Sequence, residues 1–489
     1  MKIKPCYFLA FLLFFQSAYS QIGTRFPSEK KVVKDPVTGT MLTFLTSTPQ
    51  GDSKIYQTHP QWTSDGQWLV FRSGRARNEA MAVNEKTGDI VQISEGGYTG
   101  MLNLARKSMK LYLMRDAMHD RQQVQRNNGN SRIDSLKGSL HTRQQGQRNA
   151  ETRRIDSGGK SLQIVEVDLA KLFADSKAGT MKAPGFYQRV CGEVSAELEA
   201  GGDMALDAAE DVIYFRVGRK EAAKHLAAGI KPETTFGPRN MGAGPAGLMS
   251  MNITTGALKY IISVPFQIGH IQVNPWVPGE IVFCWETGGK SPQRTWTVLA
   301  DGTGLRPLYP EASYEWVTHE AVITPNEVAI AIMGHRKINI NSTTGVSEAP
   351  ADKGSDPKNP GQENGWGNSG TREKPTGLGI VNLRTREMVI IGQTPSGSGL
   401  WHVNGSSDGR WAVGDDFSRS IYLIDRHTRE MLMISTGHKP TAADHPHPTF
   451  SPDGTRIEIQ SAMLSADNRS MNICIIPVPE AWLKRTYRP

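Results

Sequence analysis

Short apolar runs alternate with short polar turns along most of the 489-residue chain, and the order of runs and turns repeats. One unit opens with the turn TSDG at 63–66, continues with apolar runs at 68–71, 80–83 and 90–93, and contains a Thr-Gly turn at 87–88. The same order returns after SDG at 407–409 and after SPDG at 451–454. Runs of β-prone residues between Gly- and Asp-containing turns, at a period of about 40–50 residues, predict the blades of a β-propeller.

Seven such units fit onto the chain. Their first strands begin near His59, Met101, Leu206, His270, His319, His402 and His447. The apolar stretch from Met41 to Thr46 precedes the first unit, and we predict that it adds an outer strand to the last unit. This pairing would close the ring and leave no exposed sheet edge. The sequence therefore predicts an all-β protein with a single seven-bladed β-propeller domain over residues 21–489.

Two segments interrupt the repeat. Residues 119–162 form a polar, basic insertion in which RIDS at 132–135 recurs at 154–157, and residues 345–375 form a loop rich in Gly, Pro, Asn and Asp. The first insertion is either a tolerated duplication or a basic arm that holds a polysaccharide. Its span from 119 to 160 holds nine Arg/Lys and four Asp/Glu, which accounts for most of the net charge of +8. A nucleic-acid-binding face is therefore not expected.

Residues 1–20 resemble a secretion signal. Lys2 and Lys4 precede an apolar stretch at 8–15, and Ala18-Tyr19-Ser20 places small residues before a predicted cleavage site at Gln21. An uncleaved anchor is the alternative. No later segment reaches the roughly 20 apolar residues of a membrane helix, so we expect a secreted or periplasmic protein without an integral membrane segment. The three cysteines of the mature chain predict no disulfide framework, and Cys284 and Cys474 lie in apolar, strand-like runs.

Histidines recur at one position of the repeat. His59, His402 and His447 each lie six residues before the Asp of their Asp-Gly turn, and His319 and His270 occupy corresponding places in their units. Because the first strand of each blade lines the central channel, these side chains are predicted to meet at one mouth of that channel. Such convergence indicates a binding or catalytic site, in which we expect His59 and His402 to contact the substrate.

The pair His445 and His447 strengthens the case for a metal. Residues two apart on an extended chain point to the same side, so two imidazoles and a third from another blade can hold Zn²⁺ or Mn²⁺. Arg216, Arg294 and Asp415 lie on or beside loops predicted to open at the same rim. Arginine binds carboxylates through two parallel hydrogen bonds, which suits an acidic substrate.

Several motifs together resemble the oligogalacturonate lyase family of seven-bladed propellers. They are IGH at 268–270, PGEIVFC at 278–284, RTW at 294–296, DGTG at 301–304, THE at 318–320 and HPHPTFSPDG at 445–454. The resemblance covers most of the mature chain and is densest from 270 to 454. It implies a lyase that acts on short, demethylated pectin oligosaccharides with Mn²⁺ as its cofactor.

The resemblance also implies roles for individual residues. His270 would be the catalytic base, and Arg216 and Arg294 would contact the substrate carboxylate. The implied metal ligands are His319, His445 and His447. The family has a further glutamine ligand where this chain has Ala442, for which Asp444 or Thr441 is the candidate replacement, and a histidine where it has Trp285.

The predicted function is therefore metal-assisted β-elimination of a uronate oligosaccharide, with oligogalacturonate as the first choice. A histidine whose pKa is near 6.5 is a suitable base for this reaction. The alternative is a non-catalytic TolB-like propeller that binds carbohydrate or protein. Loss of the glutamine ligand and the two insertions favour that alternative.

Overall fold

The protein is described by a computed structural model that covers residues 21–76, 79–117, 160–235, 241–287, 291–312, 315–333, 339–340, 347–348, 376–394 and 399–487. The predicted signal and most of both insertions lie outside these residues. Antiparallel sheets contain most of the regular secondary structure of the described chain, and seven of them have four or five strands. The prediction of an all-β, seven-bladed propeller is confirmed.

Each large sheet is one blade, and the strands are given from the channel outward. Blade 1 holds β4 (Asp52–Lys54), β5 (Trp68–Ser73), β6 (Ala80–Asn84), β7 (Ile90–Gln92) and β1 (Arg25–Phe26). Blade 2 holds β8 (Thr99–Leu104), β9 (Lys110–Asp116), β10 (Leu162–Asp168) and β11 (Gln188–Val194). Blade 3 holds β12 (Met204–Leu206), β13 (Val212–Val217), β14 (Ala243–Asn252) and β15 (Leu258–Phe266).

The second half of the chain forms the remaining blades. Blade 4 holds β16 (Ile268–Val273), β17 (Glu280–Trp285), β18 (Thr295–Leu299) and β19 (Arg306–Pro307). Blade 5 holds β20 (Val317–Thr324), β21 (Glu327–Ile332), β24 (Gly377–Asn382) and β25 (Met388–Gly392), and a separate hairpin pairs β22 (Asn339–Ile340) with β23 (Ser347–Glu348). Blade 6 holds β26 (His402–Gly405), β27 (Trp411–Asp415), β28 (Ile421–Asp425) and β29 (Met431–Ser435). Blade 7 holds β30 (Thr449–Phe450), β31 (Arg456–Ser461), β32 (Asn472–Pro477), β3 (Met41–Phe44) and β2 (Lys31–Lys34).

The two ends of the chain close the ring in blade 7. Strand β3 pairs with β32, placing Thr43 opposite Ile475, as the sequence predicted, and β2 then adds a further strand outside β3. The first and last parts of the described chain therefore pair within one sheet, and this pairing closes the ring of blades.

The core lies between the blades. Seven clusters of buried apolar side chains occupy the seven blade-to-blade interfaces, such as that of Val282 with Val328 between blades 4 and 5. Both faces of an inner blade strand are therefore covered, which explains why Ala80–Asn84 reads as a continuous buried run and not as an alternating one.

The helices of the described residues are few and short. They are α1 (Leu169–Ala178), α2 (Arg219–His225) and α3 (Glu480–Leu483), with 3₁₀ turns at Pro184–Phe186 and Ala196–Leu198. Asp168 caps α1 by accepting a hydrogen bond from the Lys171 amide, and Gly179 ends it in a left-handed conformation. Among the residues that the structure covers, no helix combines the length and the apolar character needed to cross a membrane.

The repeated turn has a direct physical explanation. In the turn at 63–66 the Thr63 hydroxyl donates to the Asp65 carboxylate at 2.6 Å, and Gly66 adopts a φ of 69° that other residues rarely take. The same hydroxyl–carboxylate contact joins Ser406 to Asp408 and Ser451 to Asp453. Each turn joins the innermost strand to the second strand, so the beginnings of the innermost strands lie together at the opposite rim.

Candidate metal and catalytic site

Five histidines meet where the innermost strands begin. The centroid of the His402 ring lies 4.2 Å from that of His319, 5.1 Å from that of His445 and 3.7 Å from that of His447. His270 continues the group, with its ring centroid 5.7 Å from that of His319. Residues from four blades thus form one cluster, which holds four of the five histidines that the repeat predicted, and His445 takes part in place of His59.

The backbone is adapted to present these side chains. His270 and His447 have φ values of 50° and 52°, in the left-handed region that favours glycine. The pairing of β16 with β17 shifts register at His270, and that of β20 with β21 shifts at His319. Bulges and strained residues of this kind concentrate at functional sites, because they aim a side chain where a regular strand would not.

One part of the cluster consists of imidazoles around a buried carboxylate. Asp415, at the end of β27, is fully buried, and its Oδ1 lies 3.2 Å from Nδ1 of His402 while its Oδ2 lies 2.7 Å from Nδ1 of His445. We call His319, His402, His445, His447 and Asp415 the imidazole-rich half of the site. Burial lowers the pKa of His319 and of His402 well below the usual value, so both rings are neutral at pH 7. Burial also raises the pKa of Asp415 to about 6.

The remaining two imidazoles of this half face different surroundings. Nδ1 of His319 is buried and has no hydrogen-bond partner among the described residues. His447 has its Nδ1 2.7 Å from Oε1 of Gln57 and its Nε2 3.0 Å from Oδ2 of Asp444. A buried nitrogen without a partner costs free energy, and coordination to a cation would remove that cost.

The other part of the cluster consists of ion pairs around His270. Nδ1 of His270 lies 2.9 Å from Oε1 of Glu320, and its Nε2 lies 3.4 Å from Oε2 of Glu286. Arg294, whose side chain is 7% exposed, lies 3.4 Å from Glu320 and 3.8 Å from Glu286. The Cys284 thiol lies 3.6 Å from Glu286. We call His270, Cys284, Glu286, Arg294 and Glu320 the ion-pair half.

Charge decides the protonation of His270. Burial by itself would lower the pKa of His270, but its contacts with Cys284 and Glu320 outweigh burial and hold the pKa well above the usual value. Burial raises the pKa of Cys284 to about 12, so the thiol is neutral at pH 7 and the carboxylates supply the negative charge. The contact with Glu320 therefore favours the charged form of the ring.

Two of the predicted site residues lie outside the histidine cluster. His59 packs against blade 3, with Nε2 2.9 Å from the Met204 carbonyl and Nδ1 2.7 Å from the Thr58 hydroxyl. Arg216, on β13, is half-buried and donates to the Ile268 carbonyl, two residues before His270. Both are in the inner part of the propeller, beside rather than within the cluster.

The positions that depart from the family pattern can also be located. Thr441 donates its hydroxyl to the Asn468 carbonyl, whereas Asp444 contacts His447, so Asp444 is the better placed of the two candidates for the missing glutamine at Ala442. Trp285 is buried, stacks on Phe266 and donates to the Gly242 carbonyl.

Sequence reasoning missed several members of the site. The ring of Tyr56 lies 5.0 Å from that of His270 and 5.1 Å from that of His447, so it contacts both halves. Glu286 and Gln57 have no repeated position that would identify them. Glu320 directly follows His319, and Asp415 is expected at the same rim, but the sequence offers no signal that either carboxylate contacts an imidazole.

The described residues fit a divalent cation. His402, Asp415 and His445 each offer a ligand atom within 4.8 Å of the others, and the unpartnered Nδ1 of His319 lies in the same half. Imidazole nitrogens with one carboxylate suit Zn²⁺, Mn²⁺ or Fe²⁺ rather than Ca²⁺. His270, Cys284 and Glu320 form a second such group, but the Arg294 guanidinium beside it disfavours a cation there.

Fold and site together define a seven-bladed β-propeller with a buried cluster of imidazoles and carboxylates where its inner strands begin. Solved structures with this fold include an oligogalacturonate lyase in complex with manganese, at 18% identity and a TM-score of 0.63, over 95% of this chain and 100% of that chain. An oligogalacturonate lyase from Vibrio parahaemolyticus matches at 17% identity and a TM-score of 0.62, over 94% and 100%. No family model and no curated protein matches the sequence. At these identities the likeness shows the fold.

Proposed function

We propose that this protein is a lyase that cleaves uronate oligosaccharides, oligogalacturonate first among them, by metal-assisted β-elimination. The observation that carries the proposal is the division of the site: neutral imidazoles with a carboxylate on one side, and a histidine held between carboxylates on the other. The fold shared with oligogalacturonate lyases supports it.

His270 is the proposed base. In β-elimination the base removes the proton on C5 of the uronate, and the electron pair forms the C4–C5 double bond. The bond from C4 to the glycosidic oxygen breaks, and the oxygen leaves with the bonding electrons and takes up a proton from solvent. Glu320 accepts a hydrogen bond from Nδ1–H, which leaves Nε2 as the atom that takes the C5 proton once His270 is neutral. Glu286, 3.4 Å from Nε2, then stabilises the imidazolium that forms.

The C5 proton is very weakly acidic while the neighbouring carboxylate is ionised. A divalent cation, Mn²⁺ by analogy with the solved lyase, would supply neutralisation of that carboxylate and of the charge that develops on it. His319, His445 and His447 are the proposed ligands, and the buried Nδ1 of His319 is the local evidence for one.

The arginines have different proposed roles. Arg294 is buried between Glu320 and Glu286, so it holds both carboxylates beside His270 and has little surface left for substrate. Arg216 is half-buried near the first residue of β16 and is the better candidate for a contact with a second uronate. The predicted contacts of His59 and His402 with substrate remain predictions.

Incubation of the purified protein with uronate oligomers tests the proposal. Oligogalacturonate, alginate, ulvan and glycosaminoglycan oligomers are each supplied with Mn²⁺ or with a chelator, and the ultraviolet absorbance of the unsaturated product is followed. We expect Mn²⁺-dependent product from oligogalacturonate and none with the chelator. If none of the four oligomers gives product although the metal is bound, the alternative of a non-catalytic propeller, which Ala442 favours, would replace the lyase proposal. Titration with the same oligomers would then measure binding alone.

We also propose that the protein is exported. The support is the signal-like segment at residues 1–20. Recovery of the protein from the cell exterior or the periplasm, with an N-terminus at Gln21, is the expected result, and a cytoplasmic protein that retains Met1 would contradict it.

A further inference from the structure

Asp415 occupies a position that neither the repeat nor the family resemblance assigned to the metal. It is the cross-strand partner of His402 in blade 6, and its side chain is fully buried. Blade 6 therefore supplies both an imidazole and a carboxylate from adjacent strands, without any contribution from a loop.

The carboxylate contacts two imidazoles through the same type of nitrogen. Its Oδ1 accepts a hydrogen bond from the His402 amide at 2.9 Å and lies 3.2 Å from His402 Nδ1, and its Oδ2 lies 2.7 Å from His445 Nδ1. An ionised carboxylate can only accept hydrogen bonds, so both imidazoles must carry their proton on Nδ1. Each Nε2 then keeps a lone pair and can bind a metal.

His402 lies at the centre of the imidazole-rich half. Its ring is in contact with those of His319, His445 and His447, the three ligands that the resemblance implies. A cation bound by those three would thus lie beside His402 as well. The glutamine ligand of the family is absent at Ala442, so this chain has room for a different fourth ligand.

We propose that His402 is a metal ligand in this protein and that Asp415 is a positioning residue that fixes the Nδ1–H tautomers of His402 and His445 and offsets part of the charge of the cation. The inference rests on the metal of the proposed function but not on the lyase reaction. Carboxylates that hold ligating histidines in this way typically contribute about 10–100-fold to metal affinity.

Two measurements without substrate test the inference. Nitrogen-15 NMR of histidine-labelled, metal-free protein reports which ring nitrogen carries the proton, and we expect Nδ1–H for His402 and His445. Titration with Mn²⁺, followed by the electron paramagnetic resonance of the free ion, gives the affinity. D415N and H402Q are each expected to weaken Mn²⁺ binding by about 10–100-fold.

The matched control is D416N. Asp416 is the adjacent buried carboxylate, but it accepts from the Ser420 amide, and we expect Mn²⁺ affinity within about twofold of wild type because it touches none of the imidazoles. D415E keeps the charge and should retain more affinity than D415N.

Unchanged Mn²⁺ affinity in D415N or H402Q, or an Nε2–H tautomer of His402 or His445 in the wild-type protein, would overturn the inference. If D415N does not fold, the wild-type tautomers and H402Q still decide. Failure of the lyase reaction with these results intact would remove the proposed function and leave the metal centre standing.

Discussion

The two halves of the site contain similar residues but opposite electrostatics. In the imidazole-rich half, burial lowers the pKa of His319 and His402, and the rings are neutral. In the ion-pair half, two carboxylates and Arg294 surround His270, and contacts with Cys284 and Glu320 raise its pKa despite burial. The pKa of histidine is thus shifted in opposite directions according to its neighbours, although the sequence places both kinds at equivalent positions of the repeat.

The largest expected effect separates the halves by activity. His270→Ala removes the proposed base, and general base catalysis contributes about 10²–10⁴-fold, so the rate of product formation should fall by that factor. Mn²⁺ affinity should stay within about twofold of wild type, because the imidazole-rich half is unchanged. Product is measured by ultraviolet absorbance and affinity by Mn²⁺ titration.

His225→Ala is the control for removal of a histidine. His225 lies on α2 and pairs with Glu221, with a side chain 42% exposed. Its replacement should leave turnover unchanged. Full turnover by His270→Ala would assign the base to another residue.

A second comparison concerns stability. Arg294→Ala removes one of the buried positive groups that face Glu320 and Glu286, the other being His270, and should lower the free energy of unfolding by about 3–5 kcal/mol. Arg216→Ala removes a half-buried contact with the Ile268 carbonyl and should cost about 1 kcal/mol. Urea unfolding of both variants measures the difference, and equal losses would mean that Arg294 is not holding the ion-pair half together.

Repetition explains how much of this architecture could be predicted from the sequence. The Asp-Gly turns and the convergence of His270, His319, His402 and His447 follow from a pattern written several times in the chain. The closing strand at 41–44 follows from the need to close the ring. A repeated pattern fixes equivalent positions in space, so a residue can be placed without knowledge of its contacts.

Partners that occur once could not be predicted in this way. Asp415 contacts His445, 30 residues away in the sequence, and His270 contacts Glu320, 50 residues away. These residues become neighbours only when the blades assemble into the ring. His59 shows the converse, since its repeat position is equivalent but its ring faces the Met204 carbonyl. Blade 1 has its innermost strand at Asp52–Lys54, further back in the chain than the repeat suggested, and this shift carries His59 away from the cluster.

Metal removal should lower the melting temperature of the protein, and this change should depend on the imidazole-rich half alone. A ligand that binds only the folded protein stabilises it by about 2.7 kcal/mol when its concentration is about 100 times Kd. Addition of Mn²⁺ to chelator-treated protein should therefore raise the melting temperature. His445→Ala should abolish this rise and His270→Ala should retain it, and a rise that disappears in both variants would mean that the halves share the cation.

The smallest expected effect concerns the pH dependence of stability and turnover, which the pKa of His270 sets. The folded protein holds the His270 proton more tightly than the unfolded chain, so His270 stabilises the fold below its unfolded pKa near 6.5, and this stabilisation is lost as pH rises through the higher folded value. A base must be neutral, so turnover should increase with pH through that folded value.

Glu320→Gln removes a negative charge 2.9 Å from Nδ1 and should lower the His270 pKa, which moves the rising limb of the pH profile toward acid. NMR titration of the metal-free protein measures this pKa directly. The control is Glu315→Gln, because this buried carboxylate binds the Tyr309 hydroxyl and the Ala312 amide. A His270 pKa that is the same in wild type and Glu320→Gln would show that Glu320 does not set the charge of this half.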